Sequence, residues 1–277
     1  MKIELAESYG FCFGVKRAIK IAEENRNSAT YGPLIHNANE IDRLKNDFNV
    51  ALSENLDSFK FGETAVIRTH GIPKQELSLL HERQVNVVDA TCPYVTKPQQ
   101  ICEEMSSLGY DIVIFGDESH PEIKGVKSYA DDNVYVVNSP DELDALKLRE
   151  KVATVAQTTR KIEEYQQIVA KLMSTHKEVR VFNTICNATF DNQDAVRKLA
   201  QQADVMIVIG GKNSSNTKQL HSISQEFCAN SYHIESQEDL QNEWFLNKKF
   251  CGISAGASTP DWIIDEVVAK INTLTRT

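Results

Sequence analysis

Three cysteines in this sequence share one local context. Cys12, Cys92 and Cys186 each follow a stretch with strand character and precede a segment with a helical pattern. Backbone N–H groups and the helix dipole at such a position stabilise a thiolate, the form of cysteine that binds metals. Three converging thiolates would make a soft site that selects zinc or an iron–sulfur cluster. The alternative is that the three cysteines are unrelated and never meet.

The other three cysteines lie in segments of a different kind. Cys102 and Cys228 fall within helical patterns and Cys251 within a strand pattern, so we expect all three to be small buried hydrophobic side chains. The chain has no Cys-x-x-Cys pair, which excludes the zinc-ribbon, thioredoxin and bacterial ferredoxin motifs. Any metal site must therefore draw its ligands from distant parts of the chain.

Loops near these cysteines are rich in neutral hydrogen-bond donors. "GGKNSSNTKQ" (210–219) and "GASTPDWIIDE" (256–266) each lead into a predicted helix, with Thr259 as the expected N-cap of the second. His70 and His120 each stand just before a further predicted helix start. Helix N-termini aimed at one spot bind anions, and donors of this neutral kind suit a small diphosphate. Plain helix capping explains any one of these residues equally well.

The stretch "SHPE" (119–122) is the best candidate for proton chemistry. His120 and Glu122 flank a proline at a predicted helix start, and a carboxyl group beside a metal site can deliver protons to a leaving oxygen. The simpler alternative for Glu122 is an acid in the first helical turn that is stabilised by the helix dipole.

The elements that must position these residues alternate between strand and helix. Short, β-branched runs bounded by turn formers predict strands at 85–91, 111–117, 134–138, 152–157, 179–185 and 205–211. Apolar residues at helical spacing, such as Val15, Ala18, Ile19 and Ala22, lie between strand patterns. This alternation predicts an α/β fold with mostly parallel sheets.

An internal repeat divides the chain into three. His120 follows Cys92 by 28 residues and Ser214 follows Cys186 by 28, while His36 follows Cys12 by 24. We therefore predict three related α/β lobes at residues 13–92, 93–184 and 185–277, with the N-terminal strand in 1–12 joining the third. In α/β sheets, ligands gather where strand ends meet helix starts, so three such lobes facing one axis would bring the cysteines together.

The composition excludes several classes of protein. The 277 residues are 41% apolar and carry a formal net charge of −9, so no overall basic field attracts nucleic acid or an anionic membrane. The N-terminus lacks the apolar core of a signal peptide, and the apolar runs are too short to span a bilayer, so we expect a cytoplasmic protein. Neither a P-loop nor a GxGxxG motif after a strand occurs, which argues against ATP and NAD.

Six short stretches, in this order along the chain, resemble the 4-hydroxy-3-methylbut-2-enyl diphosphate reductase family. They are "GFCFGVKRA", "VDATCPYVTK", "HPE", "QTT", "GGKNSSN" and "AGASTPDW". The resemblance runs from about residue 3 to residue 270, and the segment "TICNATFDNQDAVRKLA" fits it as well. That family completes the methylerythritol phosphate route to isoprenoids.

The resemblance implies three lobes in a pseudo-threefold arrangement around a central [4Fe–4S] cluster. Cys12, Cys92 and Cys186 would hold three irons, and the fourth iron would bind the 4-hydroxyl of the substrate. Two electrons and protons would remove that hydroxyl as water, giving isopentenyl or dimethylallyl diphosphate. The electrons would come from a small flavodoxin or ferredoxin, because the chain has no flavin or nucleotide motif.

The resemblance also assigns roles to individual side chains. Glu122 would take part in protonation with His120, and Thr158 would position the substrate hydroxyl. The diphosphate would be held by His36, His70, His120, Ser214, Ser215, Asn216 and Ser258.

Two other functions fit the same residues. One is a hydro-lyase that uses an open iron as a Lewis acid and turns over without a reductant. The other is a non-catalytic protein that binds a diphosphate or a structural zinc ion, and that would be colourless when purified without oxygen.

Overall fold

The computed structural model describes residues 1–275. Strands in this part of the chain are β1 (Lys2–Leu5), β2 (Ala29–Tyr31), β3 (Ala51–Ser53), β4 (Thr64–Ile67), β5 (Asn86–Asp89), β6 (Asp111–Phe115), β7 (Val134–Val137), β8 (Lys151–Ala156), β9 (Glu178–Val181), β10 (Val205–Ile209), β11 (Ser231–Ile234) and β12 (Phe250–Ala255). The α-helices are α1 (Phe13–Glu24), α2 (Ala38–Phe48), α3 (Lys74–Glu82), α4 (Pro93–Ser107), α5 (Pro121–Lys127), α6 (Ile162–Thr175), α7 (Asn187–Ala200), α8 (Ser215–Phe227) and α9 (Asp261–Leu274).

The chain forms two compact units. One comprises Met1–Lys16, His36–Asp42 and the residues from Asn187 onwards, and the other comprises Arg17–Ile35 and Arg43–Cys186. The first unit contains one four-stranded sheet, and the second contains two. The lobe limits predicted from the repeat, after residues 92 and 184, stay a prediction.

All three sheets have the same strand order. The orders are β3-β2-β4-β5, β7-β6-β8-β9 and β11-β10-β12-β1, and every neighbouring pair is parallel. The prediction of three α/β lobes with parallel sheets is therefore confirmed. In the third sheet the fourth strand is β1, which pairs with β12 so that Lys2 lies opposite Phe250.

Continuous apolar runs form the centres of two sheets. Strands β6 ("DIVIF") and β10 ("VMIVI") are buried at every residue, as expected for parallel strands covered on both faces. Helix α1 buries the predicted apolar face of Val15, Ala18, Ile19 and Ala22. Among the residues described, no helix is both long and apolar enough to cross a membrane.

Candidate active site

Each of the three candidate thiols stands directly before a helix. Cys12 precedes α1, Cys92 precedes α4 and Cys186 precedes α7, and all three are partly exposed. The strand before each cysteine is the fourth strand of a sheet, namely β1, β5 or β9. The context predicted from the sequence, a strand end followed by a helix start, is thus the same in the structure.

One backbone hydrogen bond recurs at all three cysteines. In each case the cysteine N–H donates to the carbonyl oxygen of the second residue beyond the third strand of the sheet. The pairs are Cys92 to Thr69 at 3.0 Å, Cys186 to Thr158 at 3.0 Å and Cys12 to Ala257 at 3.3 Å. The repeat therefore extends from strand order to the individual bond that holds the main chain beside each thiol.

The remaining cysteines are buried, as predicted. Cys102, Cys228 and Cys251 have relative exposures of 0%, 5% and 0%. Burial raises the pKa of the Cys102 and Cys251 thiols to about 12, so both are protonated near neutral pH. Such thiols pack as small hydrophobic groups and are poor metal ligands.

Strand ends also explain the looser spacing of His36. His36, His120 and Ser214 each lie five residues beyond the last residue of the second strand in the order given for their sheet, which is β2, β6 or β10. His70 and Ser258 likewise each lie three residues beyond the third strand, β4 or β12. The candidate ligand-binding side chains thus occupy equivalent loops, although the spacing from Cys12 differs.

Glu122 and Thr158 form a buried pair. The carboxylate accepts the Thr158 N–H at Oε1 and the Thr158 hydroxyl at Oε2, both at 2.8 Å. Burial raises the pKa of Glu122 above its ordinary value of 4.5; the bonds from Thr158 and the charge of Arg160 lower it but do not cancel the shift. A carboxyl group in this setting can carry a proton at a higher pH than an exposed glutamate.

The imidazole of His120 is oriented by its own helix. His120 is the N-cap of α5, and its Nδ1 accepts the N–H of Glu122 at 3.2 Å. Because Nδ1 accepts, the neutral ring carries its proton on Nε2, which can then donate to a ligand. The rings of His70 and His120 lie 5.4 Å apart at an angle of 83°.

The start of α8 contains two oriented polar side chains. Ser214 is the N-cap, and its hydroxyl accepts the Thr217 N–H at 3.3 Å. Asn216 is 5% exposed, and its Oδ1 accepts the Ala257 N–H at 3.0 Å. The adjacent residue, Ser215, is the first residue of α8.

Comparison with known proteins identifies the family. Residues 3–272 match the LytB protein family. The chain belongs to that family. It is 68% identical over 271 residues to a protein of Sulfurimonas denitrificans and 66% identical to one of Nitratiruptor sp., and each alignment covers 98% of both chains. Both relatives are named 4-hydroxy-3-methylbut-2-enyl diphosphate reductase, which confirms the resemblance seen in the motifs.

Two solved structures of LytB-family enzymes are similar along nearly the whole chain. One is (E)-4-hydroxy-3-methyl-but-2-enyl diphosphate reductase, the terminal enzyme of the non-mevalonate pathway, with 45% identity, a TM-score of 0.72 and coverage of 99% of this chain and 100% of that one. The other is the Plasmodium falciparum reductase, with 26% identity, a TM-score of 0.93 and coverage of 98% and 88%.

One local prediction about a helix start was wrong. Helix α9 begins at Asp261 with Pro260 as its N-cap, whereas Thr259 donates its hydroxyl to the carbonyl of Ile209 at 3.0 Å. Thr259 therefore joins the ends of β12 and β10 instead of capping a helix. Helix α3 begins at Lys74 with Pro73 as its N-cap, so His70 lies in the loop that leads into this helix.

Sequence reasoning missed a glycine beside one of these LytB loops. A Cβ atom on Gly211 would lie 2.3 Å from the carbonyl oxygen of His36, so only glycine lets the two segments approach this closely. The glycine pair before "KNSSN" was the available signal, since conformationally special glycines often mark a close backbone approach.

A threonine hydroxyl was missed as well. In two lobes, the residue two positions before the cysteine donates its N–H to the carbonyl of the last residue of the third strand. The pairs are Ala90 to Ile67 and Gly10 to Ala255, both at 3.1 Å. In the remaining lobe the hydroxyl of Thr184 donates to the Ala156 carbonyl and accepts the Ala156 N–H. No sequence pattern indicated this substitution of a side chain for the backbone.

Proposed function

We propose that this chain reduces 4-hydroxy-3-methylbut-2-enyl diphosphate to isopentenyl and dimethylallyl diphosphate, with a [4Fe–4S] cluster held by Cys12, Cys92 and Cys186. The names of its LytB-family relatives support the reaction. In this reaction the C–O bond to the 4-hydroxyl breaks, two electrons and two protons are consumed, and water leaves.

The donor set fits the cluster better than a closed zinc site. The three thiols that stand before helices are partly exposed, and the other three cysteines are buried. Three thiolates match a cluster with one open position, whereas structural zinc normally takes four ligands and would need a histidine beside these three cysteines. When bound, such a cluster supplies one-electron reduction and an open coordination position.

One residue carries the proposal for proton delivery. The N–H and hydroxyl of Thr158 bond to Glu122, while its carbonyl accepts the N–H of Cys186. A protonated Glu122 donates to the Thr158 oxygen, and the Thr158 hydroxyl is then able to donate to the hydroxyl of the substrate. Thr158 thereby connects the proton source, Glu122, to the candidate cluster ligand Cys186 by hydrogen bonds.

The diphosphate is assigned to the donor loops. Neutral His120 presents Nε2–H, and Ser214, Ser215 and Asn216 lie in or next to the first turn of α8, where the helix dipole favours an anion. We assign His36, His70 and Ser258 to the same role because they occupy equivalent loops. The electrons come from an external carrier, a flavodoxin or ferredoxin.

The decisive experiment is anaerobic purification followed by an absorption spectrum, iron and sulfide counts, and turnover with and without a reductant. We expect a brown protein with about four irons per chain that converts the substrate only when reduced. Turnover without a reductant would establish the hydro-lyase alternative, and a colourless zinc protein would establish the structural one.

A further inference from the structure

A chain of two hydrogen bonds connects Asn216 to Cys12. The side-chain oxygen of Asn216 accepts the N–H of Ala257 at 3.0 Å, and the carbonyl of Ala257 accepts the N–H of Cys12 at 3.3 Å. These residues belong to the same compact unit. Asn216 is 5% exposed, so solvent competes little for its oxygen.

The same chain of bonds occurs in the middle lobe with a different first residue. There Glu122 accepts the N–H of Thr158, whose carbonyl accepts the N–H of Cys186. Glu122 and Asn216 are equivalent in the repeat, because each lies seven residues beyond the last residue of its strand, β6 or β10. In two lobes, the side chain at this equivalent position thus accepts the N–H of the residue whose carbonyl binds a cysteine N–H.

The bond to Ala257 also fixes the orientation of the Asn216 amide. With Oδ1 directed at a backbone N–H, the Nδ2 group is the one that can donate to an anion. An aspartate at this position would keep the oxygen for Ala257 but would place a negative charge where the donor had been. The two roles of the side chain can therefore be separated by substitution.

We propose that Asn216 is a positioning residue for Cys12, in addition to any contact it makes with the substrate. Its oxygen holds the Ala257 peptide, and that peptide fixes the main chain at the thiol. The effect of Asn216 on iron binding rests on the proposed function, whereas its positioning of the Cys12 main chain does not.

The test compares Asn216→Ala, Asn216→Asp and the control Ser258→Ala. Ser258 is adjacent to Ala257 and is assigned to the same anion, but the bonds to Asn216 and Cys12 come from the main chain of Ala257. Hydrogen–deuterium exchange of the Cys12 amide is measured in the iron-free protein. The rate of iron loss to a chelator and the affinity for inorganic diphosphate are measured in the anaerobically loaded protein.

We expect Asn216→Ala to speed Cys12 amide exchange and iron loss by about five- to ten-fold, as loss of one ordinary hydrogen bond allows. Asn216→Asp should stay within about two-fold of the original chain in both rates, although its diphosphate affinity falls. Ser258→Ala should also lose affinity and keep both rates.

Unchanged Cys12 exchange in Asn216→Ala, or equal acceleration in all three variants, would overturn the proposal. If Asn216→Ala does not fold, Asn216→Ser takes its place, because the shorter side chain also withdraws the acceptor from Ala257. If the unsubstituted protein binds no iron, the cluster assignment fails, while amide exchange still decides whether Asn216 positions Cys12.

Discussion

Both carboxylate oxygens of Glu122 are hydrogen-bonded to a single residue, Thr158, which lies 36 positions further along the chain. One bond comes from the main chain and the other from the side chain, so Glu122 remains anchored when the hydroxyl bond reverses direction. A neutral carboxyl group can therefore replace the carboxylate without displacing any heavy atom. That is the property required of a group that must hold a proton and then release it.

Replacing Glu122 by Gln should lower turnover at least about 100-fold, because positioned acid–base groups contribute on the order of 10²–10⁴ in rate. The Gln amide matches the bonding of a protonated Glu122, since its oxygen accepts from the Thr158 N–H and its nitrogen donates to the hydroxyl. Iron content and substrate affinity should stay nearly normal. Turnover is measured with an artificial reductant, and near-normal rates between about pH 6 and 9 would show that the proton comes from elsewhere.

The same substitution should change how stability depends on pH. Burial raises the pKa of Glu122 in the folded chain above its unfolded value near 4.5. The protonated side chain therefore adds to the free energy of unfolding below the unfolded pKa, and this stabilisation is lost as the pH rises through the folded pKa. The Gln side chain does not titrate. As the pH is raised from acidic to alkaline, the melting temperature of Glu122→Gln should therefore increase relative to that of the original chain. A difference in melting temperature that does not change with pH would contradict the raised pKa.

Thr158→Val and Thr158→Ser form a matched pair. Valine keeps the shape of the side chain and the main-chain bonds to Glu122 and Cys186 but removes the hydroxyl, so turnover should fall by about 100-fold or more. Serine keeps the hydroxyl and should stay within about ten-fold. Iron content should be normal in both. Loss of iron in the valine variant alone would assign the hydroxyl to the cluster environment and not to proton transfer.

The cysteines should separate into two groups by iron content. Replacing Cys12, Cys92 or Cys186 by Ser should abolish normal cluster content under anaerobic conditions, because each is expected to ligate one iron. Cys102→Ala should keep its iron, since burial of that thiol raises its pKa to about 12 and makes it a packing group. Full iron in Cys92→Ser, or its loss in Cys102→Ala, would refute the ligand assignment.

Gly211→Ala tests the close approach of two loops. The added Cβ would lie 2.3 Å from the His36 carbonyl oxygen, so the variant should lose about 1–3 kcal/mol of unfolding free energy through overpacking. It should also bind inorganic diphosphate more weakly, because the loops that hold His36 and Ser214 are forced apart.

Gly125→Ala is the matched control for that experiment. Gly125 lies within α5, and a Cβ there would meet its nearest neighbour at 3.5 Å, which is ordinary contact. Replacing a helical glycine by alanine should stabilise the protein by roughly 0.5–1 kcal/mol. Denaturant unfolding measures the change in unfolding free energy of both variants. We expect a decrease for Gly211→Ala and an increase for Gly125→Ala.

The sequence was informative where local pattern determines structure. Apolar runs of β-branched residues predicted strands at 111–117 and 205–211, and the observed strands β6 and β10 begin at the expected residues. Both end two residues early, because Gly116 and Gly210 already belong to the turns that lead towards His120 and Ser214. The context of each cysteine was predictable for the same reason, since a strand end and a helix start are adjacent in sequence.

Contacts between distant residues could not be predicted in this way. Nothing local indicates that Glu122 is buried against Thr158, or that Cys12 donates to a carbonyl near the other end of the chain. The wrong prediction for Thr259 has the same origin, because its hydroxyl favours a carbonyl of β10 over the nearby helix. The sequence indicates which groups are present, and tertiary packing selects their partners.

The pairing of β1 with β12 has a consequence for the order in which the protein matures on the ribosome. Thr69 and Thr158 are translated before the cysteines they hold, Cys92 and Cys186, whereas Ala257 follows Cys12 by 245 residues. At about 5–20 residues per second, the N-terminal strand waits roughly 12–50 s for its neighbour to emerge. Of the three cysteines proposed as iron ligands, Cys12 is thus translated first and is the last to reach its hydrogen-bond partner.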